Sequence, residues 1–241
     1  MGKINVLSIS ITILLALLLS ACSDQMDPAS ALDESHISEG LEQRVSQSAI
    51  HNELSQSSGV YWFADASEVE GAGASLLRTH NNVRMTIKTL DLDPHHTYTV
   101  WWVIFNNPDA CENGCGEPDL FNDEVGGSVL YAAGHVIGGN GKGNFAGSLR
   151  TGDLSGCQAP WDGFDLELIG GEGELDMCRD GLMDPQGAEI HLVVRSHGER
   201  IPGMVNKQIN TFAGGCTADT SFGASDGPNE CEDQQFSMFL P

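Results

Sequence analysis

The chain has 241 residues, with 34 Asp and Glu against 11 Lys and Arg and a formal net charge of −23. So acidic a chain has nothing to displace counterions from phosphates, which excludes nucleic acid as a partner and disfavours direct adhesion to anionic lipid. The length is ample for one domain with a real core beside shorter accessory segments.

Lys3 is followed by an apolar stretch from Val6 to Leu19, too short for a comfortable membrane span and laid out like an export signal. The stretch closes in Leu19-Ser20-Ala21-Cys22. This run resembles the lipobox of bacterial lipoproteins. The resemblance implies cleavage before Cys22, acyl chains such as palmitate on Cys22 as the mature N-terminus, and a membrane anchor rather than a span. More than one acyl chain makes such an anchor stable. Ser23, where Asp would signal retention in the inner membrane, favours the outer membrane of a bacterial cell envelope, facing the periplasm or the exterior. Residues 1–21 are thus expected to be a signal peptide and 22–58 a lipidated, flexible tether. The tether is rich in Ser, Gln, Asp, Glu and Ala, a composition that buries too little surface to offset chain entropy. A weak helical pattern runs through it at Ile37, Leu41, Val45 and Ile50.

Residues 59–241 read as strands separated by Gly, Asn, Asp and Pro breaks. Val60, Tyr61, Trp62 and Phe63 suit a first strand over 59–66. Val83, Met85 and Ile87 alternate with Arg84, Thr86 and Lys88, the pattern of a half-buried strand. After a turn around His95 and His96, residues 98–105 form a nearly continuous apolar run, which predicts a central strand covered on both faces. Residues 119–125 suit one helical turn. Residues 128–137 and 144–150 read as a hairpin joined by the Gly-rich stretch 138–143, which only superficially matches a phosphate loop because Gly143 follows Lys142 where Ser or Thr belongs. Residues 188–196, 208–212 and 235–240 complete the set. The expected architecture is an all-β fold, an antiparallel β-sandwich of about seven to nine strands with long disulfide-stapled loops.

Beside Cys22 there are six cysteines: Cys111, Cys115, Cys157, Cys178, Cys216 and Cys231. An even number in an exported chain predicts disulfides. The sequential pairing is favoured, Cys111 with Cys115, Cys157 with Cys178, and Cys216 with Cys231, because each pair brackets a Gly- and acid-rich segment. Cys111 and Cys115 lack an adjoining His or a second close Cys pair, which weighs against a zinc site there.

Signatures of zinc proteases, nucleophile elbows and dinucleotide loops are missing. Alternation places His191 on one strand face with Val193 and Arg195, and His197 continues that parity about 20 Å further along an extended chain. His135, His191 and His197, with His95 and His96 as further imidazoles, are candidates for a copper or zinc site if the fold brings them together. Calcium is the third candidate cofactor, suggested by the acidity and by the loop Trp161-Asp162-Gly163-Phe164-Asp165. Trp161, with Asp162 and Asp165, is also a candidate for stacking on and bonding a sugar, and Trp62, Trp101 and Trp102 are further aromatics. Trp101 and Trp102 point opposite ways, so at least one belongs to a core.

The segment 190–209 joins a His-bearing strand, Pro202-Gly203, and a stretch ending in Asn206-Lys207-Gln208-Ile209. It resembles the closing strands of CHRD (chordin-type) domains, although Asn206-Lys207-Gln208 departs from their usual form. The resemblance implies an antiparallel β-sandwich with an extracellular role. The expected function is a membrane-anchored envelope lipoprotein that binds, without catalysis, an envelope protein or a carbohydrate. The alternatives are a copper or zinc redox protein using strand histidines, and a carbohydrate-binding or hydrolytic sandwich whose first carboxylates to test are Asp162 and Asp165.

Overall fold

The computed structural model describes residues 53–158, 162–165, 174–221 and 226–241. Two antiparallel sheets pack face to face. The smaller contains β1 (Leu54–Ser58), β3 (Gly73–Arg78), β4 (Asn82–Thr89) and β7 (Gly143–Arg150), in the order β1-β3-β4-β7. The larger contains β2 (Tyr61–Trp62), β5 (His96–Phe105), β6 (Gly127–Val136), β10 (Glu189–Glu199) and β11 (Glu232–Phe239), in the order β2-β11-β10-β5-β6. A separate ribbon pairs β8 (Asp162–Asp165) with β9 (Glu174–Asp176). The sandwich and its stapled loops are as the sequence predicts.

Alternation builds the core. Val83, Met85 and Ile87 of β4 are buried between the sheets while Arg84, Thr86 and Lys88 are exposed. The opposing layer comes from Tyr98, Val100, Trp102 and Ile104 of β5 and from Ile190, Leu192 and Val194 of β10, all fully or almost fully buried. Burying side chains of this size stabilises by about 1.5–3 kcal/mol each. β5 and β10 pair in register from Glu189 opposite Phe105 to Ser196 opposite Tyr98, which makes them the rigid centre of the larger sheet.

One buried cation ties the edges together. Arg78, at the end of β3, is fully buried and spends all five of its N–H donors on neutral acceptors: Gln56 Oε1 at 2.6 Å, the carbonyls of Pro185 and Ala188 at 2.8 Å, and those of Phe239 and Leu240 at 3.1 Å. Burial pulls its pKa down to about 10, with Asp184 opposing, so the group remains a cation at neutral pH.

Three local expectations are corrected. The first strand shrinks to Tyr61–Trp62, because Asp65 accepts hydrogen bonds from the amide and hydroxyl of Ser67 and turns the chain where it would have run on. β6 and β7 do not form a hairpin. β6 pairs with β5 and β7 with β4, since both carry an apolar inner face and the Gly-rich link carries the chain across from one sheet to the other. Residues 208–212 are not a strand: the short helix α1 (Val205–Gln208) occupies the start, and buried Gln208 spends its side-chain amide on the Ile201 amide and the Glu199 carbonyl. That segment is the second half of the chordin-like pattern, and its backbone here is not extended.

The pairing of all six cysteines is the sequential one, Cys111–Cys115, Cys157–Cys178 and Cys216–Cys231. The Cys157–Cys178 bridge seals an edge. Val129 and Tyr131 of edge strand β6 donate their amides to the carbonyls of Met177 and Gly156, on either side of that bridge, so the outer rim of the larger sheet is not a free ladder.

Candidate functional site

The outer face of the larger sheet carries a large apolar patch. Trp101, Val103 and Phe105 of β5 point outward, flanked by His191 and Val193 of β10, Phe236 and Met238 of β11, and Val129 of β6. Such a face must be covered or must bind something. Two excursions cover its ends. A 3-10 turn (Glu117–Phe121) lays Leu120 over one end beside the Cys111–Cys115 loop. At the other end the segment 200–216, which ends at the Cys216–Cys231 bridge, lays Phe212 edge-on to Trp101 at 5.3 Å. Close approach holds this cover down: a Cβ on Gly134 of β6 would sit 1.7 Å from the Ile209 carbonyl oxygen, and Tyr131 donates its hydroxyl to the same carbonyl at 2.8 Å. Burial raises the Tyr131 pKa and keeps it a donor.

Between the two covers lies an open groove of about 410 Å³, with Phe63 and Ala66 at one rim and Glu117 and Asp233 at others. Its size is that of a small-molecule site. Phe63 and Met238, 49% and 41% exposed, extend the apolar surface beyond it.

Three polar units stand around the groove. His191 is 9% exposed, lines the wall, stands edge-on to Phe105 at 5.0 Å, and has Nε2 2.6 Å from Glu189 Oε1. Arg195 bonds Asp233 at 3.0 Å and the Thr220 carbonyl, and its guanidinium lies 4.0 Å over the Phe212 ring. His197 is fully buried beneath the cover. The Gly214 carbonyl, 2.9 Å from Nδ1, can only accept, so Nδ1 carries the proton and Nε2 accepts from the Thr99 hydroxyl at 2.8 Å. Thr99 in turn accepts the Trp101 indole N–H at 2.8 Å, which gives one directed chain from the groove floor to the cover. Burial pushes the His197 pKa down to about 4, against the Gly214 hydrogen bond and with help from the Arg195 cation.

The three candidate histidines are not brought together. His135 lies on the inner face against Phe145 at 6.2 Å, whereas His191 and His197 share the outer face at separate places along β10. Among the described residues, two sets of His, Cys, Asp or Glu atoms cluster tightly: His197 with Cys216 and Cys231, and Asp176 with Cys157 and Cys178. The four cysteines are all consumed in disulfides, so they present no thiolate, and the remaining ligand in each set is a single side chain. The expectation of calcium, copper or zinc as a cofactor is therefore corrected.

The acidic loop is reached only in part: Asp162 and Asp165 bound β8, and Trp161 lies outside the described residues. Cys22, the signal and the tether before residue 53 lie outside them as well. Trp101 and Trp102 are both nearly fully buried, because both faces of β5 are covered. Among the described residues no helix is long and apolar enough to cross a membrane. Alternation along β5 and β11 carried the signal for the groove, in that Trp101, Val103, Phe105, Phe236 and Met238 are apolar at outward positions, but it does not reveal which positions the loops leave uncovered. No family model matches the chain, and neither a curated protein nor a solved structure matches it.

Proposed function

We propose that the chain is a lipid-anchored protein of the bacterial cell envelope whose β-sandwich is a non-catalytic binding module, and that it takes an apolar ligand in the outer-face groove. The observation that carries this reading is the groove itself, an aromatic and aliphatic trough of about 410 Å³ left between two disulfide-closed covers. The polar groups around it are occupied in holding the covers: Arg195 with Asp233 and Thr220, His197 with Thr99 and Gly214. An apolar ligand that loses about 250 Å² to the trough gains roughly 6 kcal/mol from burial, and because association costs part of this, dissociation constants of about tens of micromolar are the tight limit.

The neutral fluorophore N-phenyl-1-naphthylamine tests the groove. We expect it to bind once per chain, no tighter than that limit, and Val193→Trp, which fills the floor, to weaken it at least about tenfold. Equal binding by wild type and Val193→Trp would place the ligand elsewhere. The anchor is tested separately by radiolabelled palmitate, which the expressed wild type should incorporate and Cys22→Ala should not.

A further inference from the structure

The polarity of the groove narrows its ligand. Glu117 and Asp233 are carboxylates at its rim, Glu189 stands behind His191, and among the described residues no lysine or arginine lines it. Arg195 is the nearest guanidinium, and it is turned onto Phe212 and Asp233. Asp233 is spent on Arg195 and Glu189 on His191, so Glu117 is the rim carboxylate that no described cation meets. His191 adds an acceptor of its own. It is nine-tenths buried, its Nε2 is engaged by Glu189, and its Nδ1 has no partner among the described residues. With Nε2–H donating to the carboxylate of Glu189, Nδ1 is the ring nitrogen left to meet a donor. The rest of the lining is aromatic and aliphatic: Phe236 is partly exposed, Trp101, Phe105 and Phe212 are almost fully buried beneath, and the fold already seats one cation on Phe212.

We propose that the groove selects a small amphiphilic amine, an alkyl or aryl chain ending in a protonated ammonium group. The chain lies along Val103, Val193 and Met238, and the ammonium donates to His191 Nδ1 and to the carboxylate rim. A fatty acid of the same length would place its carboxylate against like charge with no donor to meet it. This rests on the apolar-groove reading above and goes beyond it by fixing the sign of the head group.

The test is calorimetric titration of the protein lacking only its export signal, with Cys22→Ser so that no detergent competes for the groove. The ligands are octylammonium, octan-1-ol and octanoate, which share a chain and differ in the head. We expect one octylammonium per chain, at least about tenfold tighter than octanol and weakening as salt is added, and no measurable octanoate. Glu117→Gln changes an exposed side chain and leaves the fold intact. It should weaken octylammonium several-fold and leave octanol unchanged. If octanol binds and octylammonium binds no tighter, or octanoate binds as well, the amine assignment fails while the apolar groove stands. If none of the three binds, both fall.

Discussion

Acidification is expected to destabilise this protein through one residue, His197. In the unfolded chain its imidazole takes up a proton near pH 6.5, whereas in the folded protein burial delays uptake to about 4. Its contribution is therefore complete above pH 6.5, declines as the pH falls, and is gone near pH 4. The gap of the two values corresponds to roughly 3 kcal/mol, a sizeable part of the stability of a typical domain. The structural reason is that the imidazolium would be buried with no counter-charge: Gly214 already holds Nδ1–H, a proton on Nε2 would force the Thr99 hydroxyl to turn its own proton away, and Arg195 is a second cation nearby. The assay is urea unfolding of wild type and His197→Gln, which is neutral at every pH, at steps from about pH 7.5 to 4. Relief of repulsion as the many carboxylates titrate is common to both proteins, so the difference between them isolates His197. That difference should shrink by roughly 3 kcal/mol across the window. A difference that stays constant would refute the argument that His197 is buried neutral.

Other perturbations address the rest of the framework. Arg78→Met takes a donor from Gln56 Oε1 and from four carbonyls, of which Leu240 keeps the Gln56 side-chain amide, and should lower the unfolding free energy by roughly 3–5 kcal/mol in urea melts; Arg78→Lys, with three donors for five acceptors, should recover only part of it. Gly134→Ala drives a methyl into the Ile209 carbonyl and should destabilise by about 1–3 kcal/mol, so an unchanged melting temperature would mean that the cover is not seated on β6. Replacing Cys216 and Cys231 together by serine opens a 15-residue separation and should remove roughly 3 kcal/mol, while loosening the Phe212 wall enough to weaken binding of the naphthylamine probe.

The parts of the fold that could be read from the chain are those where one strong pattern acts alone. β4 alternates cleanly, β5 is continuously apolar, and β10 carries Ile190, Leu192 and Val194 inward, so local composition and burial agree there; β11 runs the other way, with Gln235, Ser237 and Phe239 inward and Phe236 and Met238 outward. β1 could not be read because Leu-Ser-Gln-Ser-Ser has no apolar face; it is held by Gln56, whose partners Arg78 and Leu240 are distant in sequence. The false hairpin had the opposite origin. Two good strands and a Gly-rich link fit a hairpin locally, and only the competition for partners, β5 for β6 and β4 for β7, sends them to different sheets. The disulfides could be read because short, polar, Gly-rich loops have no other means of staying closed, and sequence proximity then decides the pairing.

The site was half legible for the same reason. Parity put His191, Val193, Arg195 and His197 on one face, and the structure keeps them there. What parity cannot give is the loop that arrives from elsewhere in the chain. Phe212 and Gly214 come from a segment with no periodic signal, and it is their placement that holds His197 beneath the cover and turns Arg195 from a surface cation into a strut on an aromatic ring. Residue types that read as metal ligands in sequence thus become hydrogen-bonding posts for a cover. The groove follows from this division of labour: the sheet supplies an apolar floor, the disulfide-closed loops supply its walls, and the charges that remain at the rim are acidic, which is why its ligand is expected to carry the opposite sign.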